Sequence, residues 1–457
     1  MNSQNQLSEA PVKSLFFKYY IPALISILSV TVHQIVNGVI LGQQVGKEGL
    51  AAVGLYGPVI IVFIALTLPV MIGGGIMIGK SIGAGNYQNT QQIFQFATTL
   101  ALLFGGIIAI SSPLLVRPIA GFLAGNNHTK IVDNLCDYMS WQLISLPFLF
   151  LRMFWGNFIS SDSGPKVSRN ASLIGVVLNI ILDLFLVVGL GLGVEGASIA
   201  TAVSIFLSAF YLFFYIQKGR NNFSFRDFQF TLKFKDWKEL GHFGLPSFAS
   251  EISFSSGLLM ISHSVVPYGA LAVAAFGLVN YLSFIFIRLF TAAMIAALPI
   301  VSFNIGAKLP ARVLAIFRFA FGFTLVLGLV VTAVGFVIPD LLVSLFSDNE
   351  TDEFVNVAGN ATKLYFILFL GAGPNYILSS YLQSIGKSKL ATLINILKGF
   401  LFIAVFMFLL TDYFEMGLNG ILLSRSFAEI STLILVGGYM LCKKGNYFSE
   451  EVIMSKV

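Results

Sequence analysis

A dozen apolar stretches of twenty residues or more, separated by breaks of Gly, Pro, Asn or charge, run the length of this 457-residue chain. A helix needs about 20 apolar residues to cross the roughly 30 Å hydrocarbon layer of a bilayer. The stretches lie at approximately Leu15–Leu41, Leu50–Gly79, Ile93–Val116, Tyr138–Ile159, Ala171–Leu190, Val194–Gln217, Leu240–Val266, Leu271–Phe303, Val313–Phe346, Ala361–Ser384, Leu390–Thr411 and Met416–Cys442. A transmembrane β-barrel needs alternating segments of about ten residues, and these runs are too long and too uniformly apolar for that. Composition agrees: 56% of the residues are hydrophobic and 11% charged, against about 25% charged in a soluble protein. The expected fold class is an all-α integral membrane protein with twelve transmembrane helices.

The formal net charge of +6 would suit nucleic acid only if the basic residues shared one exposed face, and they do not. With the N-terminus inside, 19 of the 27 Lys and Arg residues fall in cytoplasmic segments. The opposite side has Lys47, Arg117, Lys130 and Lys363, and its loop after the ninth stretch carries Asp348, Glu350, Asp352 and Glu353. The positive-inside rule then places both termini in the cytoplasm, at the cell inner membrane, with lipid as the surrounding partner and no nucleic acid. The segment Met1–Pro11 has no cationic run ahead of a short apolar one, so the first stretch is expected to stay as a membrane helix. Cys136 and Cys442 fall at the ends of stretches four and twelve, Cys136 just ahead of the fourth, and are expected to be packing residues, not a disulfide framework.

The longest polar connection, residues 218–239, divides the chain into 1–217 and 240–457, read as two six-helix bundles joined by a cytoplasmic linker. The halves resemble each other at an offset near 223. Ile82-Gly83-Ala84 corresponds to Ile305-Gly306-Ala307, and Ile93-Phe94-Gln95-Phe96-Ala97 to Ile316-Phe317-Arg318-Phe319-Ala320. Pro22 matches Pro246 and Gly193-Val194-Glu195-Gly196 matches Gly417-Leu418-Asn419-Gly420 at an offset of 224, and Gly164 matches Gly386 at 222. Two copies with an even number of spans enter from the same side, so a pseudo-two-fold axis runs along the membrane normal. Bundles so related characteristically rock about a central site, which points to transport.

Three motifs carry a family resemblance along the whole chain. Val36-Asn37-Gly38-Val39-Ile40-Leu41-Gly42 followed by Leu50-Ala51-Ala52-Val53-Gly54-Leu55 is similar to the opening pattern of the multidrug and toxic compound extrusion (MATE) transporters. Leu178-Asn179-Ile180-Ile181-Leu182-Asp183 with Gly193 to Thr201, and Leu298-Pro299 to Ala307, resemble two further motifs of that family. The resemblance implies two six-helix lobes, V-shaped when outward-facing, that export drugs in exchange for protons or sodium. It also implies a cation site formed by Asp183 and Asn179 on span 5, Thr201 on span 6 and Asn37 on span 1, with Asn37 standing where many members have Asp. Sodium at Asp183, Asn179 and Thr201 is the alternative to a proton, and Asn37 removes a negative charge in a way that favours the proton. The resemblance further implies that the first helix can bend, with Pro22 as the bend.

Ionisable groups within membrane helices are costly and by default functional. Asp183 is the leading candidate, since Asn179 lies four residues earlier on the same helical face; the alternative is a polar packing pair. Glu251, with Arg288 as its candidate partner, is read as a substrate contact, a second proton site or a structural ion pair. Arg425 and Glu429, one turn apart, are expected to neutralise each other, Arg152 to snorkel or pair with a carbonyl or Asp162, and His33 to be a hydrogen-bonded core residue. Most of the 45 Phe are expected to face lipid. The function expected is a monomeric, cation-coupled antiporter exporting amphipathic or cationic organic compounds by alternating access, without a cofactor. A lipid-linked oligosaccharide flippase would line its cavity with Arg and Lys, for which Arg288, Lys398 and Arg425 are available. A membrane-embedded enzyme is the third reading; no catalytic triad, phosphate loop or metal-spaced cluster among the four His, 33, 128, 242 and 263, supports it.

Overall fold

The computed structural model describes residues 7–125, 129–233, 235, 237–345, 351–443 and 445–454. His128, Asp348 and Glu350 lie outside the described residues. Twelve long helical segments follow in order: α1 Val12–Gln44, α2 Gly46–Gly83, α3 Tyr87–Ala124, α4 Thr129–Ser161, α5 Pro165–Gly189, α6 Gly193–Gln217, α7 Trp237–Val265, α8 Ala270–Gly306, α9 Pro310–Val337, α10 Asp352–Ser384, α11 Ser388–Tyr413 and α12 Gly417–Cys442. All but α7 are long and apolar enough to cross a membrane by length and composition. In α7 the serines, Glu251 and His263 lower the hydropathy. The ends of α5 and α11 widen into π-helix, at Leu184–Gly189 and Leu409–Tyr413, and α11 has a second π-helical segment at Leu397–Leu401.

The chain forms two compact units, one of Ile21–Gly241 and the other of Met1–Tyr20 with His242–Val457. In the first unit α4 is the hub and packs on α2, α3, α5 and α6; in the second α10 plays the same part against α8, α9, α11 and α12. The start of α1 belongs to the second unit: Phe16 packs edge-on against Phe319 and Phe323, ring centroids 5.3 Å away in each case. Arg312 donates to the carbonyls of Leu7 and Ala10, and Asn304 also donates to Leu7. The helix then runs unbroken through Pro22 into the first unit.

The duplication is written into the backbone. Gly193 and Gly417 both take positive φ, 58° and 56°, a conformation costly to residues with a Cβ. The preceding turns match as well: Leu190 N bonds Phe185 O at 2.9 Å and Phe414 N bonds Leu409 O at 2.9 Å, while Leu192 N and Met416 N reach Leu186 O and Leu410 O at 3.0 and 2.9 Å. One register differs from the sequence match. Ser163, not Gly164, is the counterpart of Gly386, because both hold positive φ (69° and 78°) and the bonds Gly164 N to Ile159 O and Lys387 N to Leu382 O are each 2.8 Å. The left-handed turn residue, not the glycine identity, marks equivalence there. Helix contacts repeat too: a Cβ on Gly105 would stand 2.7 Å from Pro147 Cα, and one on Gly328 would meet the Phe369 carbonyl oxygen inside contact distance.

The polar connection after α6 is a strap laid on the first unit. Gln91, Gln95 and Thr99, spaced four apart on α3, bond the strap backbone: Gln91 exchanges bonds with Ser224 at 2.9 Å each way, Gln95 donates to Asp227 O at 2.8 Å and Thr99 accepts from Thr231 N at 3.1 Å. Asp162 accepts from Asn221 and Asn222, and Phe223 stacks on Phe94 at 4.8 Å. The Phe residues are shared between interior and exterior instead of mostly facing outward: Phe94, Phe290, Phe366 and Phe369 are fully buried, whereas Phe122 and Phe230 are open. The interior packs tightly enough to take ring pairs such as Phe290 on Phe369. Both cysteines are free, but Cys442 is exposed at the end of α12 and only Cys136 is partly packed. We expect Gly328→Ala to lower stability by about 1–3 kcal/mol, the usual cost of forcing extra volume into a packed contact, and Gly438→Ala, whose Cβ meets nothing within 4 Å, to leave it unchanged. Thermal unfolding in detergent checks both.

Candidate functional site

Each helix from α1 to α6 except α3 turns one helical face toward a cavity of about 430 Å³ inside the first unit. On α1 the wall residues are Val30, His33, Asn37 and Leu41; on α4, Tyr138, Gln142, Leu149 and Arg152; on α5, Ser172, Val176 and Asn179; and on α6, Thr201, Ser204 and Ser208. Spacings of three, four and seven keep each set on one side of its helix, so a polar stripe is hidden within an apolar run.

The residues expected to share a site on spans 1, 5 and 6 come together here. Asn179 is the centre. In the amide orientation its neighbours require, its nitrogen donates to Asp183 Oδ2 at 2.8 Å and meets His33 Nε2, while its oxygen accepts from Thr201 N at 3.0 Å and Thr201 Oγ1 at 3.2 Å. Asp183 is fully buried, and its other oxygen accepts no hydrogen bond among the described residues. Asn37 lines the same cavity with its Oδ1 unpartnered among the described residues. The π-helical turn begins immediately after Asp183; such turns are frequent at functional sites. His33 is therefore hydrogen-bonded, as expected, but at the cavity wall and against Asn179.

Arg152 departs from expectation. Asp162 is taken by Asn221 and Asn222, and Arg152 instead lines the cavity, its Nε buried without a hydrogen-bond partner among the described residues. Sequence reasoning missed this wall because hydropathy averages over a helix; the helical spacing of Tyr138, Gln142 and Arg152 on α4 was the available signal.

The second unit holds a separate buried cluster around a cavity of about 20 Å³, room for about one water. Among the described residues Arg425 and Glu429 do not form the ion pair expected of them. Glu429 pairs with Lys398 at 3.5 Å and accepts from Asn375 Nδ2 at 2.7 Å. Arg425 donates to Tyr365 Oη at 2.6 Å and its guanidinium lies 4.8 Å over the Phe254 ring. The reason is reach: the π-helical segment of α11 packs on α12, and Lys398 in it lies 3.9 Å over the Tyr376 ring of α10 with its ammonium toward Glu429. Glu251 and Arg288 form no ion pair among the described residues; Arg288 stacks on Phe284 at 4.1 Å.

Two helical units with repeated topology, each enclosing polar groups that a bilayer penalises, define a membrane transporter of the two-lobed kind. The MatE family model matches residues 22–185 and 246–410, one copy in each half, and the chain belongs to that family. Among its relatives are the multidrug export protein MepA of Staphylococcus saprophyticus, 26% identical over 427 residues covering 91% of this chain and 92% of that one, and MepA of Staphylococcus aureus, 25% identical over 92% of both. Among solved structures, a MOP superfamily transporter from Pyrococcus furiosus superposes with a TM-score of 0.88 over 97% of this chain and 98% of its own at 20% identity. An outward-facing multidrug resistance MATE family transporter gives the same score over 96% and 98%, also at 20% identity.

Removing one partner of a buried ion pair costs about 3–5 kcal/mol, whereas replacing both by uncharged groups is often neutral. Lys398→Met should thus destabilise strongly and Lys398→Met with Glu429→Gln should recover most of the loss, measured by thermal unfolding; additive losses would contradict the pairing.

Proposed function

We propose that this chain is a proton-coupled antiporter that exports amphipathic or cationic organic compounds, drugs among them, by alternating access from the cell inner membrane, as a monomer with both termini cytoplasmic. It is read as a transporter and not an enzyme. Export of small molecules is supported by the name its relatives bear, multidrug export protein. Coupling rests on one observation: Asp183, a buried carboxyl, is joined through Asn179 to Thr201 and His33 on the wall of a cavity large enough for a drug-sized molecule.

A proton is favoured over sodium on the donor set. A hard cation wants converging oxygens, yet Asn179 offers Asp183 its nitrogen and turns its oxygen to Thr201, and Asn37 supplies an amide where many members have a carboxylate. The neutral carboxyl is the form suited to a buried, lightly bonded site, and substrate and proton then compete for the same lobe. The flippase reading loses two of its three basic residues, because Lys398 and Arg425 are committed to Glu429 and Tyr365 around a cavity too small for a pyrophosphate, while Arg288 stacks on Phe284.

Dye efflux from proteoliposomes under an imposed proton gradient, then a sodium gradient, tests the reading. Efflux should follow the proton gradient and vanish in Asp183→Asn, with the variant still folded. Efflux under neither gradient would overturn antiport; full efflux in the variant would remove Asp183 from the mechanism.

A further inference from the structure

The small cavity of the second unit stands where the repeat puts the large cavity of the first. At the offset of 224 that relates Pro22 to Pro246 and Gly193 to Gly417, its wall residues Phe254 and Leu258 on α7 correspond to Val30 and Gln34 on α1. Arg425 and Glu429 on α12 correspond in the same way to Thr201 and Ile205 on α6, and each of these residues lines the cavity of its own unit. The volumes are far apart, about 20 Å³ against about 430 Å³. Arg425 and Glu429 are longer than the residues they match. The helices also close in: a Cβ on Gly257 of α7 would meet the Gly399 carbonyl oxygen of α11 inside contact distance.

The charges on this wall do not cancel. Lys398, Arg425 and Glu429 all line it and are each more than nine-tenths buried, so two cations face one carboxylate. Glu429 Oε1 is 3.5 Å from Lys398 Nζ, longer than the roughly 2.7–2.9 Å of a charge-assisted hydrogen bond, and Oε2 accepts from Asn375. Among the described residues Lys398 has no closer polar partner, and the one hydrogen bond of Arg425 runs from Nη1 to Tyr365 Oη. The rings of Tyr376, Phe254 and Tyr365 attract the two cations but bring no negative charge. Glu251, next in sequence to the wall residue Ser250, pairs with neither cation among the described residues. An uncompensated buried charge is strongly unfavourable, and the first unit builds the same framework with Thr201 and Ile205, so the fold itself does not require one.

We infer that the second unit binds one small monovalent anion, chloride, in this cavity between Lys398 and Arg425. One chloride brings the cluster to neutrality and fits a space of about one water. A water would fill the same volume and leave the charge, and a carboxylate or phosphate is too large to enter. Both cations have donors to spare, and Lys398 is then shared between Glu429 and the anion. The anion ties α11 to α12 and is a resident of the second unit, whereas the first unit keeps its matching cavity open. This site goes beyond the export reading and requires no transport.

The test is carried out on the full chain, purified without halide in detergent. Thermal unfolding is followed as chloride replaces gluconate at constant ionic strength. Chloride should raise Tm along a saturable curve, by about 3 °C or more at saturation, and bromide should do the same. Arg425→Gln, which leaves Lys398 and Glu429 as a neutral pair, should abolish the rise. Arg117→Gln, at an exposed arginine, should keep it. Crystals of the unaltered chain grown in bromide and measured at the bromine edge should show an anomalous peak between Lys398 and Arg425, a result that needs no variant to fold. A Tm indifferent to the exchange, an equal rise in Arg425→Gln, or a cavity holding water only in the bromide crystals would each overturn the assignment.

Discussion

The bilayer interior offers no water to an ionisable or hydrogen-bonding side chain, and this governs every polar group in the structure. A charged residue placed there is neutralised, partnered or kept for use. Lys398 and Glu429 are partnered across α11 and α12, Arg425 is satisfied by Tyr365 and aromatic faces, and Lys80 and Lys308 sit at the ends of α2 and α8. Asp183 and Arg152 are the exceptions in the first unit: one has a single amide donor and a bare oxygen, the other faces a cavity. The same constraint shapes the helices. Many of their polar residues lie on inward stripes, and the π-helical turns that end α5 and α11 fall at repeated positions where Gly196 and Gly420 let the chains approach.

Duplication built two scaffolds alike and furnished them differently. The turn before α6 and the turn before α12 share backbone bonds to within 0.1 Å, yet the offset of 224 that relates them sets Met407 against Asp183, and the charged cluster of the second unit has no equivalent in the first among the described residues. Packing constraints, such as the glycine contacts of α3 on α4 and α9 on α10, act on both copies equally; the chemistry of a site acts on one.

Much of this was legible in the sequence because bilayer thickness, charge asymmetry and repeat spacing are written one residue at a time. Asn179 and Asp183 were visible for the same reason, four residues apart on one helix. What was not legible required knowing which helices adjoin. The pairing of Glu429 with Lys398 instead of Arg425 depends on how α11 lies beside α12; the rule of four predicted a pair within one helix and tertiary geometry supplied a closer partner. Arg152 looked like a snorkelling residue because Asp162 was near in sequence, whereas Asp162 is held by the strap that follows α6. The register of Ser163 with Gly386 was hidden because a serine occupies the left-handed position that glycine usually takes.

The central claim is that Asp183 gives up a proton when substrate enters the first unit, and proton release on binding tests it most directly. Purified protein in weakly buffered detergent solution, mixed with a cationic dye at saturating concentration, should release about one proton per dye bound. The release should be the same in sodium chloride and choline chloride and absent in Asp183→Asn. Release that persists in the variant would place the coupling group elsewhere, and release that requires removal of sodium would make the competing ion sodium.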